Sequence, residues 1–252
     1  MCGRYTLISN PEAIRALFRY AGQPNFPPRY NISPTQPIAV VRLFEGRREF
    51  ALLRWGLIPG WVKDPRTFSL LFNARGESLL EKPAFASAMR YRRCLIPFDG
   101  FYEWKQGGKR RQPYYIRARN GAPMAFAGLW ESWMGPNGEE METAAIVTTA
   151  ANLQLAPLHN RMPVILPPEA FDLWLDHRNV SADAAAALIA PAREDLLEVY
   201  PVSDAVNRAA NDGAALIDPV EEASETAAAP EVVEAAPRKK KVATDNGQGS
   251  LF

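Results

Sequence analysis

The sequence predicts an α+β protein whose main element is an antiparallel, barrel-like β-sheet with flanking helices. Candidate strands outnumber candidate helices and follow one another without the regular crossover helices that a doubly wound sheet requires. Short turn signals (Glu45-Gly46, Gly107-Gly108 and Asn137-Gly138) sit between several of the apolar runs, as hairpin connections do.

Taken in chain order, Asn10-Pro11 reads as an N-cap followed by a proline at the first helical position, with Ile14, Leu17 and Phe18 on one apolar face. A proline-rich loop follows over 24–37. Residues 38–43 and 50–55 form a candidate hairpin about Glu45-Gly46. Further strands are expected at 94–97, 101–105, 114–117, 124–129, 144–149 and 164–166. Helices are expected at 82–89, 169–175 and 181–189, the last capped by Ser181. The globular pattern stops near Ile217. Beyond Pro219 the chain is mostly Ala, Glu, Pro, Lys and Gly with scattered Val, which buries too little apolar surface to offset the entropy of ordering. One domain over 1–217 and a disordered tail over 218–252 are therefore expected.

With 252 residues and 47% hydrophobic content, the chain is ample for a buried core. Its 29 basic and 28 acidic residues divide unevenly. The segment 218–252 holds seven acids and four bases, leaving 25 bases and 21 acids, a net +4, for 1–217. Such a body is compatible with a nucleic-acid ligand without demanding one. Two cysteines and two histidines at these spacings exclude a disulfide framework and a zinc ligand set. No basic-then-apolar leader and no apolar run of spanning length occur, so a cytoplasmic protein with reduced thiols and no membrane association is expected.

Cys2 carries the most specific chemistry. Methionine aminopeptidases remove Met before a small side chain, and cysteine is small enough. Loss of Met1 would place an α-amine and a thiol on adjacent carbons, with ordinary pKa values of ~7.7–8.0 and ~8.5. That pair suits aldehydes: the amine condenses to a Schiff base and the thiol then closes a five-membered thiazolidine. An internal cysteine lacks the amine. Position alone also fits an unimportant small residue at a frayed end.

Six short blocks change that balance. Met1-Cys2-Gly3-Arg4-Tyr5 is followed by Tyr30-Asn31-Ile32-Ser33-Pro34-Thr35, Arg54-Trp55-Gly56-Leu57-Ile58-Pro59-Gly60-Trp61 and Asn73-Ala74-Arg75-Gly76-Glu77. Gly100-Phe101-Tyr102-Glu103-Trp104 and His159-Asn160-Arg161-Met162-Pro163 complete the set. Each is weak alone; in this order and spacing they resemble the SRAP (SOS-response-associated peptidase) family over roughly 2–217. The resemblance implies a monomer without metal or organic cofactor that shields abasic sites in single-stranded DNA. It implies Cys2 as cross-linking nucleophile, Asn73 as the residue positioning sugar and adduct, and Glu103 as acid/base beside the Cys2 amine. His159 is implied in sugar ring opening and reversal. Arg4, Arg75 and Arg161 are implied in phosphate or site contacts, and Pro34 and Trp61 in packing against DNA. Trp61-Val62 stands where some relatives have two consecutive tryptophans, so the resemblance does not carry a second stacking platform over to this chain.

The residue types agree with that chemistry. A closed hemiacetal needs proton carriers to open, and carboxylates and imidazoles are the usual ones. An amide side chain orients without competing as a nucleophile, arginine forks suit phosphate oxygens, and aromatic faces accept bases of any sequence. Each residue also has a plain structural reading: Glu103 as a strand carboxylate in solvent, His159 as a satisfied loop residue, Asn73 as a turn former, Arg75 in a surface ion pair. Trp55, Trp104 and Trp130 read as core, Cys94 as a buried strand residue, and His177 as a helix C-terminal cap. Two other functions fit the same motifs, a thiol peptidase and a non-covalent single-strand-binding module. Finally, Gln248-Gly249-Ser250-Leu251-Phe252 resembles the peptide by which bacterial proteins bind the replication sliding clamp, with Gln248, Leu251 and Phe252 as anchors.

Overall fold

A computed structural model of the chain describes residues 2–22, 24–105 and 111–222. In chain order the strands are β1 (Tyr5–Leu7), β2 (Arg29–Ile32), β3 (Pro37–Phe44), β4 (Arg47–Trp55), β5 (Asn73–Arg75), β6 (Arg93–Phe98) and β7 (Gly100–Trp104). They continue with β8 (Pro113–Ala118), β9 (Met124–Met134), β10 (Glu140–Ala150), β11 (Arg161–Pro163), β12 (Ile165–Leu166) and β13 (Leu197–Pro201). The α-helices are α1 (Pro11–Phe18), α2 (Pro83–Tyr91), α3 (Phe171–Leu175) and α4 (Ala182–Ala186).

Strands β4, β3, β6, β9 and β10 hydrogen-bond in that order, and β10 returns to β4 to close a barrel. Four of the five pairings are antiparallel and β10–β4 is parallel. That follows from the strand number. Antiparallel neighbours alternate in direction, so a closed ring of five must contain at least one parallel pair. The β3–β4 hairpin turns on Glu45 and Gly46, both at positive φ (49° and 80°), the twist a two-residue hairpin favours.

A second sheet, ordered β13-β8-β7-β1-β2 and antiparallel throughout, lies against the barrel. Its two faces separate by the two-residue period of a strand. Phe101 and Ile116 join the main core, whereas Tyr102 and Tyr115 form a smaller cluster with Val202, Val206 and Leu216. The main core is aromatic at its centre: Tyr5 meets Trp55 and Phe126 edge-to-face (5.3 and 5.8 Å), and Phe126 stacks on Phe98.

The helices are where capping places them. Asn10 Oδ1 accepts the Glu12 N–H (2.8 Å) with Pro11 at the first turn, and Ser181 Oγ accepts from Ala184. The expected helix at 181–189 is only Ala182–Ala186, and 169–175 begins as a 3-10 turn before α3. No helix among the described residues is long and apolar enough to cross a membrane. Past Ile217 the chain stays attached through Val220 N–H to Pro201 O (3.0 Å) and a Lys105–Glu222 ion pair (2.6 Å). The Gly107-Gly108 turn, the basic run 238–241 and Gln248, Leu251 and Phe252 lie outside the described residues.

One close approach ties the second sheet together. Thr6 Oγ1 and the Tyr115 hydroxyl share a hydrogen bond (2.7 Å), and the Tyr115 ring lies over Gly100 so closely that a Cβ there would overlap Cζ and Oη. Gly100→Ala must therefore displace Tyr115 from Thr6. It is expected to lower unfolding free energy by about 1–3 kcal/mol, measured by urea denaturation.

Candidate functional site

The site is built where the chain begins. In the β1–β7 register Tyr5 faces Phe101 and Thr6 faces Gly100, and the Tyr102 N–H donates to Arg4 O (3.0 Å). Continuing that register by one residue brings Gly3 opposite Glu103. Cys2 comes next and is 0% exposed, within the main core cluster.

Asn73 fixes it there. Strand β5 runs parallel to β10 with Asn73 opposite Ile146, and Phe72 O is held by Ile146 N–H (3.0 Å) and Trp55 Nε1–H (2.8 Å). From this braced position Asn73 Nδ2 donates to the Cys2 carbonyl (2.8 Å). Its Oδ1 is buried without a hydrogen-bond partner among the described residues. Asn73 is thus a strand residue and not a turn former.

Glu103 shares the barrel-facing side of β7 with Phe101 and is only 4% exposed. Its carboxylate is not the solvated strand residue that its neighbours allowed. Burial pushes its pKa up, against the opposing charge and hydrogen bond of the chain's amino terminus and a Trp104 backbone N–H. Burial likewise pushes the Cys2 thiol far up, reinforced by the Glu103 charge. The amino-terminal charge and an Arg4 backbone N–H at the sulfur act the other way.

His159 completes the group. It closes the 151–160 loop, donating its backbone N–H to Leu155 O (3.0 Å), and its Nδ1 accepts the Arg161 N–H (2.9 Å). Neutral imidazole then carries its proton on Nε2. Partial burial and the amino-terminal charge lower its pKa, so it is neutral at neutral pH. Cys2, Glu103 and His159, distant in sequence, all feel the same amino-terminal charge.

The arginines divide. Arg75 is exposed, at the end of β5. Arg161 is engaged internally, forked onto Glu77 (2.6 and 2.9 Å) and bonded to Thr148 O (2.7 Å). Arg4, implied in phosphate or site contacts, donates Nη1 to Asn31 Oδ1 and Val206 O (both 2.8 Å). Its guanidinium fastens the C-terminal part of the domain to β2. Trp61 is 61% exposed and stands edge-on to Phe68 (5.7 Å). Val62 is buried, its carbonyl accepting Trp133 Nε1–H (2.6 Å), so no second platform stands beside Trp61. Pro34 is half-buried and precedes Thr35, whose φ of 77° is strained for a β-branched residue.

Other sequence assignments hold: Cys94 is fully buried with a raised thiol pKa, and Trp55 is core. Glu77 and Thr148 were not legible as site residues. Thr148 sits inside β10 among apolar neighbours, and nothing local marks Glu77 as the partner of a residue 84 positions away. Among the described residues no group of His, Cys, Asp and Glu could hold a metal ion.

The chain is similar to known proteins over most of its length. Residues 1–209 match the family described as SOS response associated peptidase (SRAP). The chain is 38% identical over 222 residues to "Abasic site processing protein YoqW" of Bacillus subtilis (strain 168), spanning 86% of this chain and 99% of that one. It is 32% identical over 262 residues to "Abasic site processing protein HMCES" of Rattus norvegicus, spanning 84% and 74%. A Bacteroides thetaiotaomicron protein of known crystal structure superposes with a TM-score of 0.78 at 25% identity, covering 87% of this chain and all of that one. With the six motifs in place, the family match spanning residues 1–209 and relatives 32–38% identical over most of this chain, the chain belongs to the SRAP family.

Proposed function

We propose that this protein binds single-stranded DNA and captures abasic sites covalently through Cys2 once Met1 is removed. The observation that carries the reading is the seating of Cys2: buried, its carbonyl held by Asn73, with Glu103 and His159 both sensing the α-amine of Met1, one residue from the amine that Met1 removal would expose. Its relatives' names, which state abasic site processing, support the same substrate.

The chemistry assigns itself by charge state. With the thiol pKa pushed far up, Cys2 sulfur is a protonated thiol at neutral pH, and the α-amine is the first nucleophile. As the hemiacetal opens, the bond from C1′ to the ring oxygen breaks, Glu103 takes the C1′ hydroxyl proton and returns it to that oxygen, and His159 Nε2–H steadies the oxygen with a hydrogen bond. The amine adds to the C1′ aldehyde, water leaves, and an imine forms. The thiol sulfur then adds to the imine carbon while its proton passes through Glu103 to the nitrogen, closing the thiazolidine. Atoms balance with water as the sole product and no oxidant. Arg75 and Trp61 suit a phosphate and an unpaired base at the rim. A thiol peptidase is disfavoured: such enzymes need a depressed thiol pKa, whereas burial raises this one. Among the described residues no histidine bonds the Cys2 sulfur.

The tail adds a second element of the reading, with Gln248, Leu251 and Phe252 tethering the domain to the replication sliding clamp. Tethering raises local concentration at the lesion without any new contact.

Three measurements test these assignments. Wild-type protein is expected to form a denaturant-resistant adduct with abasic single-stranded DNA, visible by intact mass. Cys2→Ala, or a residue inserted before Cys2, is expected to abolish it; undiminished adduct with a blocked amino terminus overturns the thiazolidine. Glu103→Gln is expected to slow adduct formation by about 10²-fold and to remove a loss of rate as pH falls toward the raised carboxyl pKa. The stability sign is opposite to that of a salt-bridged carboxylate. A raised folded pKa means the native state holds its proton longer than the unfolded one, so stability is lost as pH rises. Glu103→Gln should therefore raise Tm at neutral pH, by about 2–4 °C for each kcal/mol recovered. An unchanged rate removes Glu103 from the mechanism. For the tail, a peptide of 243–252 is expected to bind purified clamp and to lose binding with Leu251→Ala and Phe252→Ala; no binding at high micromolar peptide ends the tether.

A further inference from the structure

Two residues that the family resemblance implies in phosphate or site contacts, Arg75 and Arg161, lie near one carboxylate, Glu77. Glu77 forks onto Arg161, with Oε1 on Nη1 (2.6 Å) and Oε2 on Nη2 (2.9 Å). Its pKa is held below the ordinary carboxyl range, first by the Arg161 hydrogen bond and further by the Arg161 and Arg75 charges. The two partners are not equally free. Arg161 Nη2 also donates to Thr148 O (2.7 Å) and Thr148 Oγ1 (3.1 Å), and its side chain is 15% exposed, while that of Glu77 is 56% exposed. The guanidinium is anchored to β10 and the carboxylate stands on its solvent side. Gly76 makes this reach geometric: a Cβ there would press on Thr148 O (3.2 Å) and overlap Ile189, so only glycine lets the 76–78 turn lie this close to β10.

We propose that Glu77 occupies a phosphate subsite formed by Arg161 and Arg75, and that single-stranded DNA binds by exchanging a backbone phosphate for this carboxylate. Carboxylate and phosphate both accept the planar arginine fork, so the outgoing and incoming anions use the same two N–H groups. Arg161 does not follow the departing Glu77, because Thr148 retains it. No bond is made or broken; the step is an exchange of ion pairs. Its consequence is selectivity: a lone anion gains little by displacing a carboxylate already in place, whereas a strand engaging Arg75 and the aromatic rim at once recovers the cost. The proposal rests on the DNA-binding reading above but not on the chemistry of Cys2.

The test is binding of lesion-free, fluorescein-labelled oligothymidylate, read by anisotropy across a salt series. Glu77→Gln, an exposed change that leaves the fold intact, is expected to tighten binding about two- to fivefold. It is also expected to steepen the dependence of log K on log salt, by up to about 0.7, because Arg161 then meets phosphate without first releasing a carboxylate. Removing any acid from a DNA surface tightens binding somewhat, so the same change is made in an Arg161→Ala background, where the gain should disappear. A Glu77→Gln protein that binds equally or more weakly overturns the proposal, since Glu77 would then only position Arg161. So does a gain that persists without Arg161. Glu77→Ala, checked by thermal melting, guards against an effect peculiar to glutamine. Adduct formation with abasic DNA is measured separately: its absence in every protein while the Glu77 effect persists falls on Cys2 and leaves the subsite standing.

Discussion

A chain start is ordinarily the least ordered part of a domain, and here it is among the most buried. The hydrogen bond from Asn73 Nδ2 to the Cys2 carbonyl is the contact on which the rest of the site depends. It joins the first residues to β5, which is itself braced on β10 of the barrel wall. On the other side, β1 is clasped between β2 and β7. Arg4 adds a third tie, its guanidinium reaching Asn31 and the carbonyl of Val206, over two hundred residues further along. Each contact offsets part of the entropy that a free terminus would keep. Together they hold the Cys2 carbonyl and sulfur in a buried position near the carboxylate of Glu103.

That arrangement is electrostatically expensive. Burial raises the pKa of Glu103 and of the Cys2 thiol, and the Glu103 charge works further against ionisation of the thiol. The amino-terminal positive charge is the compensating element, lowering Glu103 and Cys2 while keeping His159 neutral. A buried carboxylate that is destabilised by its surroundings and relieved by a nearby amine is suited to moving protons at neutral pH. Such a site trades stability for reactivity.

The rim follows a different logic. Arg93, buried and deep in the fold, spends its guanidinium on the carbonyls of Trp174, Met89 and Val180 and serves only packing. Arg75 is exposed, Arg161 is anchored on Thr148 on one side and forked onto Glu77 on the other, and Trp61 stands edge-on to Phe68. The strained turn at Thr35 and the exposed Leu70 border a cleft of ≈ 350 Å³ between the aromatic rim and the barrel.

Much of this was legible in the sequence by itself. Alternating apolar runs separated by turn residues determined the strands, because a half-buried strand must repeat every two residues. Asn10-Pro11 and Ser181 set helix starts through local hydrogen bonds that need no tertiary partner. The pairing of an amine and a thiol at residue 2, and the six motifs, pointed to the residues of the site. Tertiary structure alone decided what those residues touch. The parallel closure of β10 on β4 comes from the odd strand number, which no local pattern carries. Short strands such as β1, β5 and β11 have too few residues to show a period, and they exist because longer strands supply their partners. Burial of Glu103, the internal use of Arg4 and the Glu77–Arg161 pair join positions far apart in the chain. A side chain's charge and type are local properties, but its solvent exposure and its partner belong to the packed whole.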